Sequence, residues 1–130
     1  MASAGSYADN SAKCGTASIV CNDDKAAVEK ARLLASKLPM NNLSPIPMFE
    51  FKPSALEMKG SADEMAAALA DKDSVIEISA QFGTAAYTAL ASIGGATVGI
   101  CATNKIDAKL TADDCSKLAR FVRTCDAFTI

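Results

Sequence analysis

A chain of 130 residues, 50% hydrophobic and 22% charged, has the size and balance of one globular domain and is too apolar for disorder. Its net charge of −2, with 13 scattered basic residues, excludes ordinary nucleic-acid binding, which needs clustered Lys and Arg. No histidine is present, so a Ser-His-Asp triad, a histidine base and a histidine metal ligand are excluded. Any chemistry must use carboxylates, thiols, lysines or backbone amides.

In chain order, residues 6–14 form a short polar–apolar run, with Gly15 placed to stop a helix. Thr16 to Cys21 reads as a short strand. Asn22 or Asp23 then caps a helix to about Leu38. Its stripe is Ala27, Ala31, Leu34 and Leu38, widened by Val28 and Ala35. Asp23 and Asp24 at its start and Lys37 at its end suit the helix dipole, and Pro39 stops it.

All four prolines (39, 45, 47 and 53) fall between residues 39 and 60. Proline fixes φ and removes a donor, so this stretch reads as an extended connection. About twenty residues is long for a loop inside one compact domain, which marks a boundary.

After Gly60, Ser61 and Glu64 have capping-box spacing and open a helix to about Asp71, with Met65 and Leu69 expected to face inward. Ser74 to Ala80 alternates as a strand should. Thr84 to Ile93, the Gly94-Gly95 hairpin signal and Ala96 to Ala102 complete an antiparallel meander of about three strands. Asn104 to Leu110 is a loop. Thr111 caps a last helix to about Phe128, with Leu118, Phe121, Val122, Cys125 and Phe128 as its stripe; Arg120 and Arg123 lie outside it.

Five cysteines, an odd count without C-x-x-C spacing, fit reduced thiols used as small hydrophobes better than a zinc site or a disulfide framework. Met1 to Gly15 shows no signal-peptide pattern. No run reaches the ~18 apolar residues of a membrane span. A cytoplasmic protein without membrane insertion is expected. Gly94-Gly95 reads as a tight turn before an anion site. Asp113 and Asp114 read as caps before an acid–base pair. Cys115, near a helix start, is the thiol with some claim to reactivity, and Cys125 reads as core. No catalytic constellation and no metal site emerges from the residues themselves.

The run from Ile76 to Asn104, with Phe82-Gly83-Thr84 and Gly94-Gly95-Ala96-Thr97-Val98-Gly99-Ile100-Cys101-Ala102, resembles the start of the second half of biotin-dependent acyl-CoA carboxyltransferase subunits. Ala119 to Phe128 (A-R-F-V-R-T-C-D-A-F) is the most specific single match. Ala12 to Ala17 resembles the family's A-K-x-G-x-A segment, and Leu38 to Asn42 its L-P-S-N-N exit. The family includes the β-type subunits of propionyl-CoA and acetyl-CoA carboxylases and the α subunits of methylmalonyl- and glutaconyl-CoA decarboxylases.

The resemblance implies an α/β, crotonase-like fold. Residues 1–45 would be the tail of a first crotonase-like unit, 46–60 the proline-rich connection and 61–130 the head of a second. It implies transfer of a carboxyl group between biotin and an acyl-CoA, with backbone amides as oxyanion donors, a logic that needs no histidine. Implied partners are a biotin carrier protein, biotin carboxylase or decarboxylase subunits, and further copies in a homo-oligomer.

The family's oxyanion turns do not map onto this sequence, so the chain is expected to be inactive alone. The implied site-adjacent residues are Thr103, Asn104 and Lys105, in the loop where crotonase-like units approach CoA or biotin. That loop is shorter than in most members, with Ala108-Lys109-Leu110 where a glycine-leucine-aspartate pattern is common, and Thr129 replaces a usual asparagine. A stand-alone, non-catalytic α/β binding or assembly module is the alternative.

Overall fold

A computed structural model of the chain describes residues 7–55, 57, 60–104 and 109–130. Its elements are α1 (Tyr7–Lys13), α2 (Asp24–Lys37), α3 (Ala62–Leu69), β1 (Ile76–Glu77), β2 (Ala86–Ile93), β3 (Ala96–Thr103) and α4 (Ala112–Ala127).

The hairpin of β2 and β3 organises the rest. β2 is buried at every position but its last, because helices cover both faces of the sheet. The strand order is β1-β2-β3, all antiparallel, with Ile93 opposite Ala96 and Ala86 opposite Thr103. The turn is Gly94-Gly95, with φ of 61° and 84°. Two left-handed residues match the twist of the flanking strands, as the sequence predicts.

Alternation along β2 then sorts the core. Tyr87 and Ala89 meet Ala62 and Ala66 of α3 on one face, with Val75, Ile100 and Ala102 around them. Leu90 meets Phe121 and Cys125 of α4 on the other, joined by Leu34, Leu38, Ile78 and Ile130. The result is an α/β arrangement with α3 and α4 on opposite sides of a three-stranded sheet.

Several local expectations are corrected. Thr16–Cys21 forms no strand. Among the described residues its one backbone bond to a later segment, Ser79 N–H to Ser18 O at 2.7 Å, is too little for a ladder. The strand expected over Ser74–Ala80 is reduced to Ile76 and Glu77. On α3 the buried residues are Ala62 and Ala66, while Met65 and Leu69 are 44% and 50% exposed. Small side chains let this helix lie close to the sheet, so the large ones turn outward.

α4 is rotated from its expected stripe. Asp114, Lys117, Phe121 and Cys125 face inward and Val122 is 54% exposed. Arg120, outside the expected stripe, donates to Gly15 O at 2.9 Å and stacks on the Phe82 ring at 4.9 Å.

α2 starts as expected, with the Asp23 carboxylate accepting from Ala26 N–H at 2.7 Å. Its stripe is used only in part. Leu34 and Leu38 pack on the body, whereas Ala27, Val28, Ala31 and Ala35 are exposed. All five cysteines are free thiols. Cys125 is core as expected, but Cys14, Cys101 and Cys115 are exposed and do not act as buried hydrophobes.

The end of α4 explains one departure from the family pattern. Ile130 N–H bonds back to Cys125 O at 2.9 Å, and this reversal puts Thr129 at φ 54°. Asn visits the left-handed region readily, and a β-branched residue does not. Thr129→Asn is therefore expected to raise stability by about 0.5–1 kcal/mol. A higher urea midpoint with unchanged slope is the readout, and an unchanged or lowered midpoint counts against the strain.

Candidate functional site

The open end of the hairpin, the turn at residues 83–86 and the start of α4 meet at one place. The Thr111–Asp114 capping box starts α4. Asp114 then does more than cap. Its Oδ1 accepts from Ala85 N–H at 2.9 Å and Ala86 N–H at 3.1 Å. Its Oδ2 accepts from Thr111 N–H at 2.7 Å and the Thr111 hydroxyl at 2.6 Å. The hydroxyl bond first, then the backbone donors, hold this carboxyl below its ordinary range.

One turn on, Lys117 donates to Ala86 O at 2.7 Å and Gly83 O at 3.4 Å. Burial lowers its pKa, while the charges of Glu77 and Asp114 oppose that shift. The 83–86 turn is thus held through both its N–H and its C=O groups.

Asn104 closes the same turn from the other side. Its side-chain amide donates to Thr84 O at 2.8 Å, and its N–H to Ala85 O at 2.9 Å. Thr103 is the last residue of β3 and is exposed. The structure therefore brings Asn104 into a scaffold with Asp114 and Lys117, and leaves Thr103 facing solvent. Lys105 lies outside the described residues, as do positions 106–108 of its loop.

A second cluster ties the connection to the turn end of the hairpin. Asp71 accepts from Gly94 N–H at 3.0 Å and Gly95 N–H at 2.7 Å. Phe49 N–H donates to Gly95 O at 2.8 Å, and Met48 forms a single antiparallel bridge with Ala96. Lys37, at the end of α2, is only 4% exposed. Its ammonium donates to the Ser92 hydroxyl at 2.5 Å and sits 4.2 Å over the Phe49 ring. Burial lowers its pKa, against the pull of Asp71. The end of α2, the proline-rich connection and the hairpin are locked together at this point.

Between α2 and α4 lies a cavity of about 300 Å³, walled by Leu34, Leu38, Ile78, Leu90 and Phe121. Of its polar neighbours, Lys117 and Arg120 are engaged as above, and the Thr88 hydroxyl donates to Ile78 O at 2.7 Å. None of these groups is placed as a free acid, base or nucleophile. Asp114 and Lys117 are what sequence reasoning missed as a pair. The Thr111–Asp114 spacing exposes the cap, but nothing local reports its second set of partners 28 and 29 residues upstream.

Among the described residues, a meandering sheet with a helix on each face is built around a tightly held turn, as the crotonase-like fold implied by the resemblance would have it. Residues 3–130 match the model of the carboxyl transferase domain, and the chain belongs to that family. It is 31% identical to the propionyl-CoA carboxylase beta chain of Saccharopolyspora erythraea, across 91% of this chain and 26% of that protein. The methylmalonyl-CoA decarboxylase subunit alpha of Propionigenium modestum is 28% identical, across 89% of this chain and 26% of that protein.

Among solved structures, the hexameric transcarboxylase 12S core, determined with hydrolysed methylmalonyl-CoA bound, superimposes with a TM-score of 0.80 at 29% identity. That match covers 95% of this chain and 28% of the transcarboxylase chain. The chain spans about a quarter of the length of the relatives it matches.

Proposed function

We propose that the chain is the joint segment of a biotin-dependent acyl-CoA carboxyltransferase or decarboxylase subunit. On this reading residues 1–45 end one crotonase-like unit, 46–60 connect, and 61–130 open a second. The observation that carries it is the interlock of Lys37, Phe49, Ser92 and Gly95. It fixes the exit of α2 against the head of the second unit across the connection.

In such a subunit the carboxyl group would pass between biotin on a carrier protein and an acyl-CoA, with a biotin carboxylase or decarboxylase subunit as partner. A homo-oligomer in the cytoplasm completes the proposal; the five free thiols suit a reducing compartment.

The described residues do not fit biotin or a thioester by themselves. Either group needs N–H donors aimed at a developing oxyanion. The two adjacent N–H pairs described above, Ala85/Ala86 and Gly94/Gly95, are both donated to internal carboxylates. No catalytic step is therefore assigned to this segment, and the isolated chain is expected to be inactive. Asn104, with Asp114 and Lys117, sets where the loop after β3 departs, and Thr103 and Lys105 are proposed to stand beside the ligand. A stand-alone, non-catalytic module is the second reading. It is favoured by the sheet's two helix-covered faces, a core completed within the described residues.

A graft separates the two. Residues 7–130 replace the matching quarter of a propionyl-CoA carboxylase beta chain, and carboxylation of propionyl-CoA is measured with its partner subunit. Activity within tenfold of the parent is expected. A folded chimera of parental assembly size with no activity would sink the joint reading.

A further inference from the structure

The cleft between α2 and α4 has no part in the proposed carboxyl transfer, and its wall is chemically one-sided. Thr88, Leu90, Lys117 and Phe121 are its buried part, and Leu34, Leu38 and Ile78 its half-buried sides. Arg120 and Thr124 stand exposed at the mouth. No described acidic residue lines it.

Lys117 and Arg120 therefore border an apolar space without an anion. Lys117 is 3% exposed, and its ammonium carries three hydrogens. Its partners are two carbonyls, Ala86 O at 2.7 Å and Gly83 O at the longer 3.4 Å. Arg120 offers five N–H groups, of which one is bonded to Gly15 O. Neither residue forms an ion pair among the described residues. A buried ammonium answered by carbonyl dipoles alone is costly, and a carboxylate beside it offsets that cost. An alcohol, an ester or a thioester brings no such counter-charge.

Size narrows the ligand further. A cavity of about 150 Å³ takes a benzene ring. The cleft, at about 300 Å³, is twice that. An aliphatic tail of about six to ten carbons fits such a space. Its wall from Leu34 to Phe121 suits that tail, with the charged head at one end.

We propose that this cleft binds a free medium-chain aliphatic carboxylate, the head against the Lys117 ammonium and the tail between Leu34, Leu38, Leu90 and Phe121. The ligand ties α2 to α4, two elements far apart in the chain. This binding is independent of carboxyl transfer, because its test reads heat on the chain itself and the graft reads turnover.

The experiment is isothermal titration calorimetry of sodium octanoate into the purified chain, with 1-octanol and sodium hexanoate as comparators. One octanoate per chain is expected. Octanol, with the same tail and no charge, should bind at least about tenfold more weakly. Hexanoate should be weaker by about 10- to 20-fold, since each lost methylene costs about fourfold.

Two variants locate the site. Ser79 lines the cleft at φ 56°, a backbone region that aspartate enters more readily than serine. Ser79→Asp therefore keeps the fold while setting a fixed carboxylate in the wall, and octanoate should bind at least about tenfold more weakly. Lys117→Met keeps the apolar stem and removes the charge. It should bring octanoate down to the affinity of octanol and leave octanol unchanged. Should Lys117→Met lose its circular dichroism signal, Ser79→Asp decides alone. Octanoate should also slow amide exchange in the last turn of α2, and not in α3.

No binding of octanoate, or octanol bound as tightly as octanoate, overturns the inference. So does an octanoate affinity that Ser79→Asp leaves unchanged, or slowed exchange in α3 in place of α2.

Discussion

Asp114→Asn is expected to cost about 3–5 kcal/mol, a large part of the 5–15 kcal/mol that holds a domain of this kind. The carboxylate is 1% exposed and accepts from four donors. An amide keeps one oxygen and points two hydrogens at groups that are themselves donors. Ala85 and Ala86, or Thr111, then lose their acceptor, and buried Lys117 loses its nearby negative charge. Urea unfolding checks it, and a cost under about 1 kcal/mol would contradict the four-donor account.

The same carboxylate gives the fold an acid limit. Its folded pKa is depressed, so the stabilisation is complete above the unfolded value near 3.9 and drains as pH falls through the folded value. Stability of the unmodified chain should fall below about pH 4. The loss should be shallower in the Asp114→Asn chain, which has no such proton to take up.

Gly95→Ala is the second large effect. Gly95 has φ 84°, and a Cβ placed there would lie 2.3 Å from Phe49 O, a backbone atom that cannot swing aside. That carbonyl belongs to the stretch that bridges to β3. The substitution must therefore loosen the connection as well as strain the turn, at about 2–4 kcal/mol. Gly94 is the internal control. Its φ is 61°, but nothing lies within 4 Å of the added carbon. Gly94→Ala should cost only the left-handed penalty, about 1 kcal/mol. Equal losses at the two positions would mean that the Phe49 contact has no weight.

The hairpin and the last helix were legible because their signals are local. Gly94-Gly95 between two apolar runs, and Thr111 three residues before Asp114, need no distant partner to be read. The strand expected at Thr16–Cys21 failed for the converse reason, since a ladder is a property of two segments. On α3, apolar spacing points to Met65 and Leu69, but proximity to the sheet selects Ala62 and Ala66. On α4, hydrophobic period ranks Val122 above Asp114 and Lys117. It cannot register charged groups whose burial is compensated by bonds to Ala85, Ala86 and Gly83. The site followed the same pattern. Asn104 was named through a family likeness, while the clamp around it is assembled from residues some thirty positions apart and appears only in three dimensions.

The Arg120 bond to Gly15 O spans 105 positions, and the Lys37 bond to Ser92 spans 55. β2, β3 and α4 by contrast are neighbours in sequence. Loop closure makes distant contacts the slowest to reward their ordering. The hairpin and α4 therefore form the natural nucleus, with α1 and α2 docking afterwards as a separate cooperative unit. That unit is held by Arg120, by Lys37 and by the last turn of α2, so it can open while the sheet stays intact. The hairpin with α4 is then the stable platform, and α1 with α2 is an arm that latches onto it.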